Sequence, residues 1–299
     1  MRNASLIRRP VVLPLLAVAL TLLVGCGKQT ATRPGDKPPI RVAVIGGMTL
    51  SGMWQALAER FTRDTGWPVE TVVSGPKDML SAAFRKGDVD LLTMHSSDQA
   101  TNLVADGYAL NMRPWARNEH AILGPPADPA GIRGGHDGAV GLRRIADTHS
   151  PFVDFTGPGS RDVVHGLWKK AGMEIPRGDW LLKDESLTPQ GILEYAASHQ
   201  AYVVVGRIPV LRGKMANPGK LEVMVEGDPA MRRPYVVVEA NLVKLPRTNV
   251  AGAKVLAEWL TSDKGRGFLS DFGAKQPDGF PLFYPADTTG LAPSVAENR

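Results

Sequence analysis

Ile40-Arg41-Val42-Ala43-Val44-Ile45-Gly46-Gly47-Met48-Thr49-Leu50-Ser51-Gly52-Met53-Trp54 is the first stretch of this 299-residue chain with the pattern of a folded core. Ile40 to Ile45 is β-branched and apolar almost throughout, the pattern of a strand covered on both faces. Gly46 and Gly47 are expected to make the turn that follows. Met53, Trp54, Leu57, Ala58 and Phe61 then recur at helical spacing, and Gly66 supplies the stop.

The unit repeats downstream. A strand over Pro68–Val73 leads through Ser74-Gly75-Pro76 into a helix over Lys77–Arg85, with Pro76 at a favourable first helical position. A third strand, Val89–Met94, delivers His95, Ser96 and Ser97 to a helix that runs to about Ala105. Short β-branched runs alternating with longer helical patterns predict an α/β fold built on mostly parallel strands. In such a sheet the strand-to-helix turns share the carboxyl edge, where ligands bind. Here those turns carry Gly46, Gly47, Met48 and Thr49, then Ser74 and Gly75, then His95 and Ser96. Helix N-termini expose unpaired amides and a positive dipole end, so Gly, Ser and Thr at these turns suit an oxyanion or carboxylate. At any single turn the same residues serve equally as helix caps; their recurrence along one edge points to a ligand.

The second half begins near His120 and predicts a helix over Ala139–Thr148 and a strand over Phe152–Phe155. Thr156-Gly157-Pro158-Gly159-Ser160-Arg161 follows, and Val163, Val164, Leu167 and Trp168 form the apolar face of the next helix. Close-approaching amides at Gly159 and Ser160 with the guanidinium of Arg161 suit an anion, a surface or capping role for Arg161 being the alternative. His165, on the same helix, is expected to pack. Leu187-Thr188-Pro189-Gln190-Gly191 opens another helix, in which Thr188 is a cap or a ligand contact, and Ala201–Gly206 is a strand that ends at Arg207. Pro234–Asn241 is a long β-branched strand, followed by packing helices over Val250–Leu260 and Asp263–Phe272.

Upstream, residues 27–39 contain little to bury and read as a flexible tether. Before it, Arg2, Arg8 and Arg9 precede an apolar run, Val11–Leu23, that is short for a membrane span and ends in Leu23-Val24-Gly25-Cys26. Residues 1–25 therefore read as a lipoprotein signal peptide. Cys26, the single cysteine, would carry the lipid and become the mature N-terminus, leaving the protein extracytoplasmic and membrane-anchored. With that cysteine acylated, no disulfide or thiolate metal site remains, and the domain relies on an ordinary core. Arg2, Arg8 and Arg9 leave with the leader, so 35 basic residues become 32 against 30 acidic ones, a net +2 that argues against nucleic acid as a partner. The six histidines show no triad or metal-ligand spacing, and no enzyme, metal or cofactor is expected.

Six further stretches carry a resemblance: Gly87-Asp88-Val89-Asp90-Leu91-Leu92-Thr93-Met94-His95, Asp106-Gly107-Tyr108-Ala109-Leu110-Asn111-Met112-Arg113-Pro114, Gly124-Pro125-Pro126-Ala127-Asp128-Pro129-Ala130-Gly131-Ile132, Leu167-Trp168-Lys169-Lys170-Ala171-Gly172, Val225-Glu226-Gly227-Asp228-Pro229 and Glu258-Trp259-Leu260-Thr261-Ser262. Over Ile40–Pro285 the chain resembles the tungstate-binding periplasmic components of bacterial ABC importers, which are type II periplasmic binding proteins. The resemblance implies two α/β lobes, each a mostly parallel sheet flanked by helices, joined by two crossing strands that act as a hinge, with the ligand between the lobes. Mapping the crossings onto His120–Gly124 and Tyr235–Ala240 makes lobe one residues 40–120 plus 236–299 and lobe two residues 121–235. It further implies a tungstate- or molybdate-like oxyanion as ligand, an ABC permease as partner, and action as a monomer.

The site departs from the family pattern. Where the tungstate binders carry a Thr- and Ser-rich run after the first strand, this chain has Ile45-Gly46-Gly47-Met48, with Thr49 and Ser51 nearby, and where they carry Ser-Arg-Gly-Asp, the arginine aligns with Phe155. Two readings follow. In one, Arg161 replaces the arginine and the Gly46 and Gly47 amides replace hydroxyls. In the other, the bulk of Met48 and Phe155 marks a cleft rebuilt for a larger or less charged ligand. A separate alternative is a ligand-sensing lipoprotein that docks on a receptor instead of a permease.

Overall fold

The computed structural model describes residues 37–154, 158–184, 186–273 and 281–287, so Cys26, the leader, most of the tether, and Phe155 to Gly157 lie outside the described residues. In chain order the elements are β1 (Ile40–Ile45), α1 (Gly46–Leu50), α2 (Met53–Thr65), β2 (Val69–Gly75), α3 (Lys77–Lys86), β3 (Leu91–His95), α4 (Asp98–Ala105), β4 (Ala109–Gly124), α5 (Gly138–Asp147) and β5 (Phe152–Val153). They continue as α6 (Pro158–Lys170), β6 (Leu181–Leu182), α7 (Ile192–Ser198), β7 (Tyr202–Gly206), α8 (Arg207–Leu211), β8 (Glu222–Val225), β9 (Arg232–Ala240), α9 (Val250–Thr261), α10 (Asp263–Gly273) and β10 (Tyr284–Pro285).

Strand order is β2-β1-β3-β9-β4-β7-β5-β6. The outer trios, β2-β1-β3 and β7-β5-β6, are parallel, and the central β9 and β4 run antiparallel to their neighbours. Two parallel wings are thus joined through the long strand β4. From Ala109 to Glu119 it pairs with β9, and from His120 to Leu123 with β7, so the partner switch falls between Glu119 and His120. Both ends of β9 stay in the first wing, where Tyr235 faces His95 and Glu239 faces Leu91 of β3. This is the mixed α/β architecture of type II periplasmic binding proteins.

Each wing has its own core. In the first, α2 and α9 meet on one side of the sheet, where Phe61 stacks edge-on against Trp259 with centroids 5.8 Å apart, and α3 adds Leu80 and Phe84 to the same core. In the second, the two-residue period of β7 sorts side chains by face. Tyr202 and Val204 pack with α5 and α6 through Leu142, Ile145, Leu167 and Trp168, whereas Val203 and Val205 pack with α7 through Ile192, Leu193 and Ala196. Gly124 is required here, because a Cβ would stand 2.3 Å from Cδ1 of the Tyr202 ring.

Asp90 ties the first wing together. Fully buried, it accepts from the Arg41 amide (2.8 Å), from Arg41 Nη2 (2.6 Å) and Nε (3.2 Å), and from the Asn249 amide at the head of α9 (2.8 Å).

Local differences from the sequence expectations have simple causes. Gly46 and Gly47 do not form a turn but the first turn of α1, because β1 passes straight into helix with Ile45 extended at φ −61°, ψ 135°. Ser74 and Gly75 complete β2 because Val44 and Ile45 continue to pair with them. Residues 188–191 are turn, and α7 starts only at Ile192.

Candidate functional site

The carboxyl ends of β1, β2 and β3 lie side by side, so their turns converge. Thr49 Oγ1 donates to the Gly46 carbonyl (3.0 Å) and lies 2.7 Å from Ser74 Oγ. A Cβ on Gly46 would stand 3.8 Å from the Gly75 Cα, so the first two turns are in contact. The third joins through β9: the Ser96 amide donates to the Pro234 carbonyl (2.9 Å), and the His95 ring stacks on Tyr235 with centroids 4.2 Å apart. His95 Nε2 donates to Asn118 Oδ1 (3.2 Å). Met48 is fully buried in the core of the first wing, so its bulk does not project into the space between the turns.

Gly159, Ser160 and Arg161 occupy the first turn of α6 in the second wing, with Ser160 buried and Arg161 exposed. Arg161 makes no hydrogen bond or ion pair among the described residues. Thr188 is exposed in the turn before α7, and its carbonyl accepts from the Gly191 amide (3.1 Å). The structure therefore brings together Gly46, Gly47, Thr49, Ser74, Gly75, His95 and Ser96, and among the described residues no hydrogen bond or ion pair joins that group to Ser160, Arg161 or Thr188.

Residues absent from the sequence-level set stand among these turns. Lys77, the first residue of α3, is half-buried, and burial pushes its ammonium below the usual lysine range, with repulsion from Arg233 adding to the effect. Arg233, next to the start of β9, is depressed for the same primary reason. Neither makes an ion pair within 4.0 Å among the described residues, and Asp162 on α6 is the carboxylate they sense in common. The Tyr235 hydroxyl is buried without a hydrogen-bond partner and lies 3.7 Å from the Cβ position of Gly47. Ser97 Oγ, at the head of α4, is likewise buried and unpartnered. Donors thus outnumber acceptors, which is the electrostatic requirement for an anion.

Lys77 was within reach of sequence reasoning. A cation in the first turn of a helix opposes the macrodipole, a misfit that ordinary capping does not explain. Arg233 and Tyr235 alternate on a β-branched strand and so share a face, but the sequence gives no sign that this face meets the three turns.

The strand switch carries a separate charge cluster. Buried Glu119 accepts from the Tyr284 hydroxyl (3.2 Å) and lies 3.7 Å from Arg232, whose guanidinium sits 3.5 Å above the Tyr284 ring. Burial raises the Glu119 carboxyl, and Arg232 and Arg207 oppose that rise. Arg207, fully buried, donates to Glu226 (2.8 Å) and to the Pro281 carbonyl (2.9 Å).

Two histidines near the turns are held neutral. Burial pushes His95 well below 6.5 and His120 down to about 3, with Arg233 adding repulsion in both cases. The unfolded chain therefore takes up protons that the folded chain refuses. Their stabilising effect is complete above about pH 6.5 and is lost as pH falls below it. The midpoint of thermal unfolding is expected to drop between pH 6.5 and 5, at about 1.4 kcal/mol per pH unit per histidine. His120→Gln should flatten that acid limb; an unchanged slope would contradict the assignment.

The profile of the family described as bacterial extracellular solute-binding proteins matches residues 40–275. A tungstate-binding protein, TupA, of Peptoclostridium acidaminophilum is 29% identical over 281 residues, covering 91% of this chain and 94% of its own. A putative ABC transporter anion-binding protein of Haloferax volcanii is 29% identical over 79% of this chain and 68% of its own. Among solved structures, the tungstate-binding TupA of Desulfovibrio alaskensis superposes with a TM-score of 0.66 at 25% identity, over 83% of this chain and 99% of that one.

Proposed function

The chain belongs to the bacterial extracellular solute-binding protein family, and from that premise we propose that it captures a small oxyanion of the tungstate or molybdate kind for an ABC importer. The observation that carries this reading is Lys77, a half-buried cation with no ion-pair partner among the described residues, set where three strand-to-helix turns converge. A cation held in that state costs folding energy and is retained where an anion supplies the missing partner. The likeness to tungstate- and anion-binding relatives over most of the chain supports the same ligand class.

In this reading lobe one comprises residues 40–120 and 236–299 and lobe two residues 121–235, except that β9 from Arg232 pairs within the first wing, and the lobes close on the anion by bending where β4 changes partner. Gly46, Gly47, Thr49, Ser74, Gly75, His95 and Ser96 line the lobe-one side, with Met48 packed in the core behind them. Gly159 and Ser160 approach from lobe two. The closed monomer docks on a membrane permease, and Cys26 carries the lipid that keeps it there. Mass spectrometry of the mature N-terminus tests the anchor: a diacylglycerol on Cys26 is expected, and an unmodified or uncleaved N-terminus would refute it.

Thermal unfolding of the mature chain, Gly27 to Arg299, against tungstate, molybdate, sulfate, phosphate and small organic acids tests the ligand class. At a hundred times its dissociation constant the cognate ion adds about 2.7 kcal/mol, a shift of roughly 5–10 °C for a domain of this size. A shift with tungstate or molybdate is expected. A shift confined to an organic acid would favour a rebuilt cleft.

A further inference from the structure

We propose that Arg233 and Tyr235, on β9 between β3 and β4, are the principal charge anchor and a hydroxyl donor for the bound oxyanion, taking the place of the arginine whose family position is Phe155. The inference rests on the oxyanion reading of the same site.

Three observations locate the pair. Positions 233 and 235 lie on one face of β9, and Tyr235 stands opposite His95 in the β3 register while Arg233 stands opposite Asn118 in β4. His95 bridges them, stacked on the Tyr235 ring and bonded to Asn118, so the face of β9 that carries both residues meets the third turn. The Tyr235 hydroxyl is fully buried beside Gly47 with no partner, and the Arg233 guanidinium makes no hydrogen bond or ion pair among the described residues. A buried phenol without a partner is costly unless a ligand completes it, and the half-buried guanidinium on the same face has its charge uncommitted among the described residues. A tetrahedral oxyanion does so: it carries only acceptors, and the fork of donors on an arginine matches two of its oxygens.

The placement also says what the pair does. Arg232 and Arg233 are adjacent, but Arg232 is turned to Glu119 and Tyr284 at the strand switch, whereas Arg233 is left for the ligand. An anion held by Arg233 is therefore bound by β9, the strand that lies between the third turn and β4, next to the point where β4 changes partner. Arg161, the alternative anchor, is exposed on α6 in the other lobe.

Calorimetric titration of tungstate into the mature chain and its variants tests the assignment. Arg233→Met is expected to weaken binding roughly 10- to 150-fold and Tyr235→Phe about 3- to 10-fold. Arg233→Lys should restore part of the loss, and Arg161→Ala should change affinity less than threefold. Thermal unfolding without ligand separates binding from folding: Arg233→Met should melt no lower than wild type, because a desolvated cation has been removed. If wild type binds and Arg233→Met binds within threefold of it, or if Arg161→Ala carries the loss, the anchor assignment is overturned and the oxyanion reading stands. If wild type binds no oxyanion, the oxyanion reading falls and the anchor assignment with it.

Discussion

Lys77→Met is expected to weaken tungstate binding by roughly ten- to a hundredfold while leaving the ligand-free protein as stable as wild type or more so. The two effects share a cause. Burial and the Arg233 charge depress the ammonium in the folded protein, so the unfolded chain holds this proton more tightly. For a lysine depressed in this way, the penalty to folding is present at neutral pH and is relieved as pH rises past the folded value towards 10.5. Methionine keeps the length of the stem and removes the penalty. A charge-assisted bond to a bound anion contributes about 1.5–3 kcal/mol, which sets the expected loss of affinity. Stability and binding thus move in opposite directions, as expected where a site is strained for function. Calorimetry for affinity and thermal unfolding for stability check both, and a variant that loses both together would mark Lys77 as structural.

Asp90→Ala should produce the largest loss of stability, about 3–5 kcal/mol, with a fall in melting temperature of roughly 10 °C. The Arg41 guanidinium, 30% exposed, can turn towards water, but the Arg41 and Asn249 amides cannot. Two buried backbone donors lose their acceptor, and β1, β3 and α9 lose the bond that joins them. Asp90→Asn keeps a single accepting oxygen and should cost less. Denaturant unfolding of the two variants tests the ranking, and equal losses would mean that the charge, not the acceptor count, is what matters.

The legible part of the fold was the part built on period and punctuation. β1, β2 and β3 with their helices were readable because apolar runs and the left-handed stops at Gly66 and Gly87 are local signals. In the stretch Gly87-Asp88-Val89-Asp90, Gly87 ends α3, Val89 is buried and Asp90 forms the clamp. β4 was legible only at its end. Arg117-Asn118-Glu119-His120 interrupts its apolar pattern, since residues at a lobe junction satisfy one another in pairs and not by burial against a single core.

The candidate site was half legible. Thr49, Ser74, Gly75 and His95 stand at turns that any parallel sheet would place together, and the structure places them so. Arg233 and Tyr235 belong to the antiparallel strand that returns from the other wing. Their nearness to those turns depends on the order β3-β9-β4, a nonlocal property that no window of sequence carries. The Gly-rich helix start at Arg161, by contrast, is a local signal of only moderate specificity, readable without knowledge of the strand order.

The most direct test is calorimetric titration of tungstate into the ligand-free mature chain at low salt and again at 0.15 M salt, with molybdate as competitor. Saturable one-to-one binding that persists at 0.15 M salt and is competed by molybdate is the expected result, because a cleft of half-buried cations is screened far less than a surface patch. Heat that vanishes at 0.15 M salt, or no saturable binding of either oxyanion, would contradict oxyanion capture.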